Sequence, residues 1–327
     1  MDTLNLGIIG CGIAAKELHW SVLKQMTEKF RIAVACNRTE RKAAEYAELV
    51  GGCPITTDYR DVLADDSIDA VCIALPFHLN LEVTEAALKA GKHVIVEKPL
   101  ATDIADARRM VELENEYPGL VTLVAENMRY RRLLGRAKEL IDTGEIGKPY
   151  SVIWNNFFFV NPESNKYAHT PWRMEEQYPG GFIVDAGVHN IAVLRTLFGE
   201  IENTRSQITG VTPALGIYDT FGMQFSIGDG IMGSLNLYFS AMGLNANMLH
   251  IFGDKGSLLI DRESITIKRE DSEDIIEDHT DDMGYLAEFE NFHVAITSGE
   301  KVVSSFEEGY KDFEVIMNGV SSAIERI

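Results

Sequence analysis

Short, mostly apolar runs punctuate the first part of the chain, and a stretch of helical period follows each one. The runs are Leu4–Ile9, Arg31–Cys36, Asp69–Leu75, Val94–Val96 and Leu120–Ala125. Such runs carry little polar alternation, so they predict strands buried on both faces, as in a parallel sheet. Between them the spacing predicts a helix from a glycine loop to about Glu28, one over Arg41–Val50 with an alanine face, and one over Asn80–Ala90 that Gly91 ends. A further helix is predicted over Ala101–Tyr117, with Thr102 or Asp103 as its cap. Strands and helices alternating in this way predict a doubly wound parallel sheet.

Near residue 127 the pattern changes. Arg131–Asp142 reads as one more helix, closed by Thr143-Gly144. From Lys148 onward strands dominate: 150–160, 206–211, 220–227, 231–239, 248–253, 257–260 and 264–268. Glycine-containing turns such as Gly228-Asp229-Gly230 join them, and a helix over Asp185–Phe198 is embedded among them. Helices over Met283–Ser298 and Glu307–Glu325 close the chain, and the acidic stretch 269–282 reads as a solvated loop. The expected architecture is α/β: a doubly wound parallel sheet over 1–126, then an α+β domain over 127–327 with a large, mostly antiparallel open sheet. The last helices are free to pack back on the first domain. Phe157-Phe158-Phe159 places an aromatic ring on each face of that open sheet. One face packs on helices, and a second copy of the chain, as homodimer or homotetramer, is the expected cover for the other.

Composition narrows the partners. A chain of 327 residues suits two domains, each able to bury a core. Its formal charge of −20 argues against nucleic acid or an anionic membrane surface. The first apolar segment is short and runs straight into glycines, so no signal peptide is expected, and no apolar run approaches a membrane span. The four cysteines, Cys11, Cys36, Cys53 and Cys72, match neither a metal-site spacing nor a disulfide framework. They read as small buried residues of a cytoplasmic protein, and no metal site is expected.

Two motifs carry the candidate chemistry. Gly10-Cys11-Gly12-Ile13-Ala14-Ala15 stands between a strand and a helix, the context a dinucleotide-binding loop requires. Gly10 permits the tight turn, Gly12 lets the backbone approach a pyrophosphate, Ala15 allows close packing, and the helix start offers N–H groups to phosphate. Beyond the second strand, where an NAD site expects a carboxylate for the ribose, stand Asn37 and Arg38. A guanidinium there attracts a 2′-phosphate, so NADP(H) is favoured over NAD(H). The second motif is Val94-Ile95-Val96-Glu97-Lys98-Pro99, a buried strand ending in a carboxylate, an ammonium and a proline. A lysine there stands at the carboxyl edge of the sheet, where open α/β sheets bind ligands, although a solvated strand end would carry the same residues. Leu75, Pro76, His78 and Asn127 end neighbouring strands at that edge and join Glu97 and Lys98 as candidate cofactor contacts.

In the second half, Gly180-Gly181 precedes Asp185 and His189. If a helix begins near Asp185, the two share one face, and a carboxylate beside histidine would set its basicity for proton transfer. The glycines would let a backbone or a flat ligand come close. The loop before them holds Asn165, Tyr167, His169, Trp172 and Arg173, a fitting wall for a polyhydroxylated ligand. Arg129-Tyr130-Arg131-Arg132 opens a helix at its amino end, where the macrodipole disfavours cations. At least one of these arginines should therefore meet another element or a ligand, Arg129 being the substrate candidate, while Arg131 and Arg132 read as a solvated patch.

Taken together, the glycine loop, Glu97-Lys98-Pro99, Asn127-Met128-Arg129-Tyr130, Trp172-Arg173, Gly180-Gly181 with Asp185 and His189, and Phe252-Gly253 with Gly256-Ser257 resemble the glucose-fructose oxidoreductase / inositol dehydrogenase / rhizopine-catabolism (Gfo/Idh/MocA) family. The resemblance spans the whole chain. It implies a Rossmann domain, an open sheet used for oligomerisation, and a hydride transfer on a sugar, cyclitol or related diol. It further implies that Lys98 contacts nicotinamide ribose and substrate, that Asp185 and His189 act with it in proton transfer, and that the Lys98–Pro99 peptide is cis. Two departures stand out. The family often has histidine where this chain has Asn80, and a His-Asp-x-Asp pattern where this chain has His189-Asn190-Ile191-Ala192. Both point away from a simple cyclitol. Some relatives of this fold serve as dinucleotide-binding sugar sensors and others as NAD-retaining glycosidases, and these are the alternatives to a dehydrogenase.

Overall fold

The first apolar runs form a six-stranded sheet in the order β3-β2-β1-β4-β5-β6. The strands are β1 (Leu4–Ile9), β2 (Phe30–Cys36), β3 (Ile55–Thr56), β4 (Ala70–Ile73), β5 (His93–Glu97) and β6 (Thr122–Ala125). Every pair in it is parallel. All of β4 and β6 is buried, which is why these strands read as continuous apolar runs. The structure, a computed structural model, describes residues 3–168, 170, 178, 180–228, 230–270 and 272–326. It comprises two units, 1–130 with 282–311 and 131–281 with 312–327.

In the first unit, Ala14–His19 winds with the wider π-helical turn and runs into α1 (Trp20–Leu23), ending short of the predicted Glu28. Then come α2 (Glu40–Leu49), α3 (Tyr59–Ala64), α4 (Asn80–Lys89) and α5 (Ile104–Glu116). Asp103 caps α5, its carboxylate accepting the Asp106 N–H at 2.9 Å. Both β3 and α3 were absent from the sequence expectation, one being two residues long and the other six.

The second unit holds α6 (Arg132–Asp142) and an eight-stranded sheet in the order β14-β13-β12-β11-β7-β10-β9-β8. Its strands are β7 (Pro149–Phe157), β8 (Ile201–Thr209), β9 (Thr220–Ile227), β10 (Ile231–Tyr238), β11 (Ala246–Gly253), β12 (Gly256–Ile260), β13 (Ser264–Lys268) and β14 (Ile275–Asp278). Only the central β7–β10 pair is parallel. The strand β14 corrects the expectation of a solvated loop over 269–282.

Against the inner face lies α7 (Gly181–Phe198), which starts four residues before the expected Asp185. A Cβ on Gly187 would stand 2.9 Å from Ile316 and 3.0 Å from Leu237, so this glycine sets how closely the helix packs. At 18 residues α7 is long and apolar enough to match a membrane span, correcting the expectation that no run approaches one; it is 67% buried inside the protein, the position of a core helix.

Two more helices follow, α8 (Tyr285–Ser298) and α9 (Phe306–Ile324). The first belongs to the unit of the parallel sheet, where Phe289 and Phe292 pack on Phe30 with ring centroids 6.1 and 6.4 Å away. Glu114 receives the first N–H groups of α9, Phe306 at 3.1 Å and Glu307 at 3.3 Å. Cys11, Cys36 and Cys72 are buried free thiols, whereas Cys53 is only half-buried. Burial, with neighbouring thiols adding, pushes the Cys11 thiol up to about 12.

Candidate active site

At the carboxyl end of β1 the chain turns on Gly10, whose φ is +103°. A Cβ there would lie 2.3 Å from the Ala74 carbonyl oxygen, so space and conformation both demand glycine. The Cys11 N–H donates to Asn37 Oδ1 at 3.2 Å, and the Asn37 amide donates to the Thr39 carbonyl at 3.1 Å. Asn37 thus ties the glycine loop to the end of β2. A Cβ on Gly12 would meet nothing within 4 Å, which leaves the open approach a pyrophosphate needs, while Ala15 is fully buried beneath. Ile13 and Ala14 begin the π-wound segment. The residues present therefore fit a dinucleotide. Arg38 stands exposed beside Asn37. Burial raises the Cys36 thiol to about 11, with Asp58 and Asp61 adding to it, so two carboxylates also act on this strand end.

Along the same edge, β5 ends at Glu97 and the Lys98–Pro99 peptide is cis. The Asn80 amide is fully buried and donates to the Glu97 carbonyl at 2.9 Å and the Pro99 carbonyl at 3.1 Å, bracketing Lys98. Glu97 uses both carboxylate oxygens. One meets His19 Nε2 at 2.8 Å and the other accepts the Lys98 backbone N–H at 3.2 Å. Leu75 and Pro76 are half-buried after β4, and His78 is exposed in the turn Phe77–Leu79. Asn127 is buried, its amide donating to the Met283 carbonyl at 2.7 Å.

The arginine cluster divides. Arg129, the substrate candidate, has a side chain only 6% exposed and pairs with Glu308 at 3.4 Å. Arg131 corrects the solvated reading: it is buried, paired with an equally buried Asp281 at 3.1 Å, and donates to the Arg262 carbonyl at 2.8 Å. Only Arg132 is exposed.

Asp185 and His189 lie four apart on α7, as expected, although Asp185 sits in the helix and not at its start. Both are partly open on a helix that is otherwise mostly buried. The glycines before them serve packing. Gly180 has φ +93°, and a Cβ on it would stand 2.8 Å from Val184 and 3.1 Å from Val320. In the preceding loop, Lys166 Nζ lies 5.3 Å from the centre of the half-buried Tyr167 ring. His169, Trp172 and Arg173 fall outside the described residues.

Sequence reasoning passed over His19 and Glu288. His19 is buried against the sheet, and Glu288 is fully buried on α8. The one available signal was a histidine on the inner side of the helix that follows the glycine loop.

Comparison with known proteins bears on the family and the fold. Residues 4–124 match the family model described as an oxidoreductase family with an NAD-binding Rossmann fold, and residues 134–259 match the GFO/IDH/MocA C-terminal domain. An uncharacterized protein of Saccharomyces cerevisiae is 32% identical over 92% of this chain and 90% of its own. The crystal structure of an oxidoreductase from Thermotoga maritima superposes with a TM-score of 0.93 at 34% identity, covering 98% of this chain and 97% of that one. Levoglucosan dehydrogenase, solved in complex with NADH and levoglucosan, superposes with a TM-score of 0.87 at 25% identity, over 100% and 98% of the two chains. The chain is a member of the Gfo/Idh/MocA family of NAD(P)-dependent sugar and cyclitol dehydrogenases and reductases.

Proposed function

We propose that this enzyme passes a hydride between nicotinamide and a hydroxyl- or carbonyl-bearing carbon of a sugar or related diol, with Lys98, Asp185 and His189 as its catalytic residues. The observation that carries the reading is the fixed presentation of Lys98. Asn80 and Glu97 pin its backbone at the same sheet edge that bears the open glycine loop. When bound, the nicotinamide ring supplies a hydride acceptor at C4. Lys98 would hold the reacting oxygen and stabilise charge developing on it. His189 would take the hydroxyl proton during oxidation, with Asp185 one turn away to orient it. Leu75, Pro76, His78 and Asn127 would line the cofactor, and Arg129, Tyr167, Trp172 and Arg173 the substrate. Levoglucosan in a relative's site supports a ring substrate with several hydroxyls. A panel of sugars and polyols scanned at the reduced-nicotinamide absorbance band, with each cofactor in turn, tests this; no oxidation of any of them and no reduction of the matching ketoses would refute it.

NADP(H) is the proposed preference. Asn37 is neutral and committed to the glycine loop, and Arg38 is exposed beside it, ready for a 2′-phosphate. Asp58 and Asp61 oppose that phosphate, so Arg38 decides the contest. Arg38→Ala should raise KM for NADPH about tenfold and leave that for NADH within about twofold. Equal efficiency with both cofactors, unchanged in the variant, would refute the preference.

A second copy of the chain is the proposed cover for the outer sheet face. The outer positions of the three central strands bring Ile153, Phe157, Met232, Tyr238, Met248 and Phe252 together with polar but uncharged neighbours, in a chain of net charge −20. Met232 is 67% exposed, and Phe157 stacks on Tyr238 at 4.7 Å. Met232→Asp combined with Ile153→Asp should yield monomers by light scattering; an unchanged assembly would exclude this face.

A further inference from the structure

We propose that His19 is a positioning residue for Lys98: its buried imidazole ring fixes the Glu97 carboxylate, and that carboxylate holds the Lys98 backbone. This rests on the reading of Lys98 as the group that meets substrate. The ring is 1% exposed and has a partner on each nitrogen. Nε2 lies 2.8 Å from Glu97 Oε1, and Nδ1 lies 3.3 Å from the Cys72 sulfur on β4. The edge of Phe289 on α8 closes the remaining side, with ring centroids 5.4 Å apart. His19 is also the last residue of the π-wound Ala14–His19 segment, an irregularity that tends to mark functional positions in helices.

The effect reaches Lys98 through a short chain of bonds. Glu97 Oε2 accepts the Lys98 N–H at 3.2 Å. The Asn80 amide holds the carbonyls on either side. Without His19, the Glu97 side chain would lose its one side-chain partner among the described residues and be free to turn away from the Lys98 N–H. The backbone that presents Lys98 would then keep the Asn80 bonds but lose its tie to the Glu97 carboxylate. A shift of about 1 Å in a reacting group costs on the order of a hundredfold in rate.

Charge makes the arrangement specific. Burial opposes protonation of His19, but the Cys72 sulfur and the Glu97 carboxylate outweigh it and hold the ring protonated well above its ordinary range. Glu288 on α8 also faces this ring. Burial pushes its carboxyl well above the usual range, the nearby His19 opposes that, and Glu97, Glu126 and Asp282 add to it. Burial thus favours the uncharged form of Glu288, and Glu97, in direct contact with the ring, is the carboxylate that balances His19.

His19→Gln keeps a donor near Glu97 but removes the charge. In protein shown to be folded by circular dichroism, it should lower kcat about 10- to 100-fold, with nicotinamide binding by fluorescence titration within about twofold. Glu97→Gln should give a similar loss, and the double variant should be no worse than the poorer single one. Nitrogen-15 imidazole spectra supply a readout that needs no substrate: His19 should titrate well above an ordinary histidine, and its titration should move down in Glu97→Gln. Should His19→Gln fail to fold, Glu97→Gln and the spectra decide. Wild-type kcat in a folded variant, or a His19 titration unmoved by Glu97→Gln, overturns the proposal. If the wild-type protein turns over no sugar or polyol, the proposed function fails separately, and the spectra still judge the His19–Glu97 pair.

Discussion

Lys98→Ala is expected to lower kcat by about a thousandfold while nicotinamide binding changes by no more than about twofold. The split follows from where the residue stands. The glycine loop, Asn37 and the helix start at Ala14 are built independently of the lysine side chain, so a dinucleotide should still bind. In the proposed role, what disappears is a positive charge just past the end of β5 that would be needed most as the substrate oxygen becomes negative. An interaction made only in the transition state lowers kcat and kcat/KM together. Lys98→Arg should recover little, since a planar fork with fixed donors does not replace a compact ammonium on a backbone pinned by Asn80 and Glu97. Steady-state kinetics beside a fluorescence titration makes the measurement. Turnover within about tenfold of wild type would remove Lys98 from the chemistry.

Asp312→Ala should cost about 3 kcal/mol of stability, read as a lower urea midpoint of the cooperative transition. Arg195 and Asp312 meet at 2.6 Å, with side chains 3% and 1% exposed. Deleting the carboxylate leaves a guanidinium buried and part-satisfied, the costly way to break such a pair. The other side of the same guanidinium offers a control. Glu200 also bonds Arg195, at 2.8 and 3.0 Å, but its side chain is 56% exposed. Water replaces it readily, so Glu200→Ala should cost under about 1 kcal/mol. Equal losses in the two variants would show that burial does not set the worth of this network.

The parallel strands were legible because burial on both faces leaves no polar residue to blur the run, as in Ala70–Ile73. The spacing of Asp185 and His189 placed them together on a helix wherever that helix began. The start itself was misplaced, because the cap at Gly180 is a glycine in the left-handed region with no side chain to announce it. At β14 the signal failed for the opposite reason. Ile275 and Ile276 are adjacent and both exposed, so an edge strand looks like any acidic loop. Arg131 and His19 were hidden by distance along the chain. A buried arginine is recognisable only by its partner, and Asp281 lies 150 residues away; His19 and Glu97 are separated by 78. No local pattern encodes such a pairing. The slot of Asn80 was visible as a departure from the family, but that its amide brackets the lysine backbone is a fact of three dimensions.

Phe30 shares its core cluster with Phe289 and Phe292, and this sets an order on the making of the protein. A ribosome emits the amino end first, so all six parallel strands emerge long before α8, which seals one side of their unit. During that interval the nascent half carries an open aromatic flank, the kind of surface that misassembles or recruits helpers in crowded cells. The ring contact between Phe289 and His19 forms only after most of the chain has been made. The half that begins the polypeptide is thus completed only near the other end of the chain.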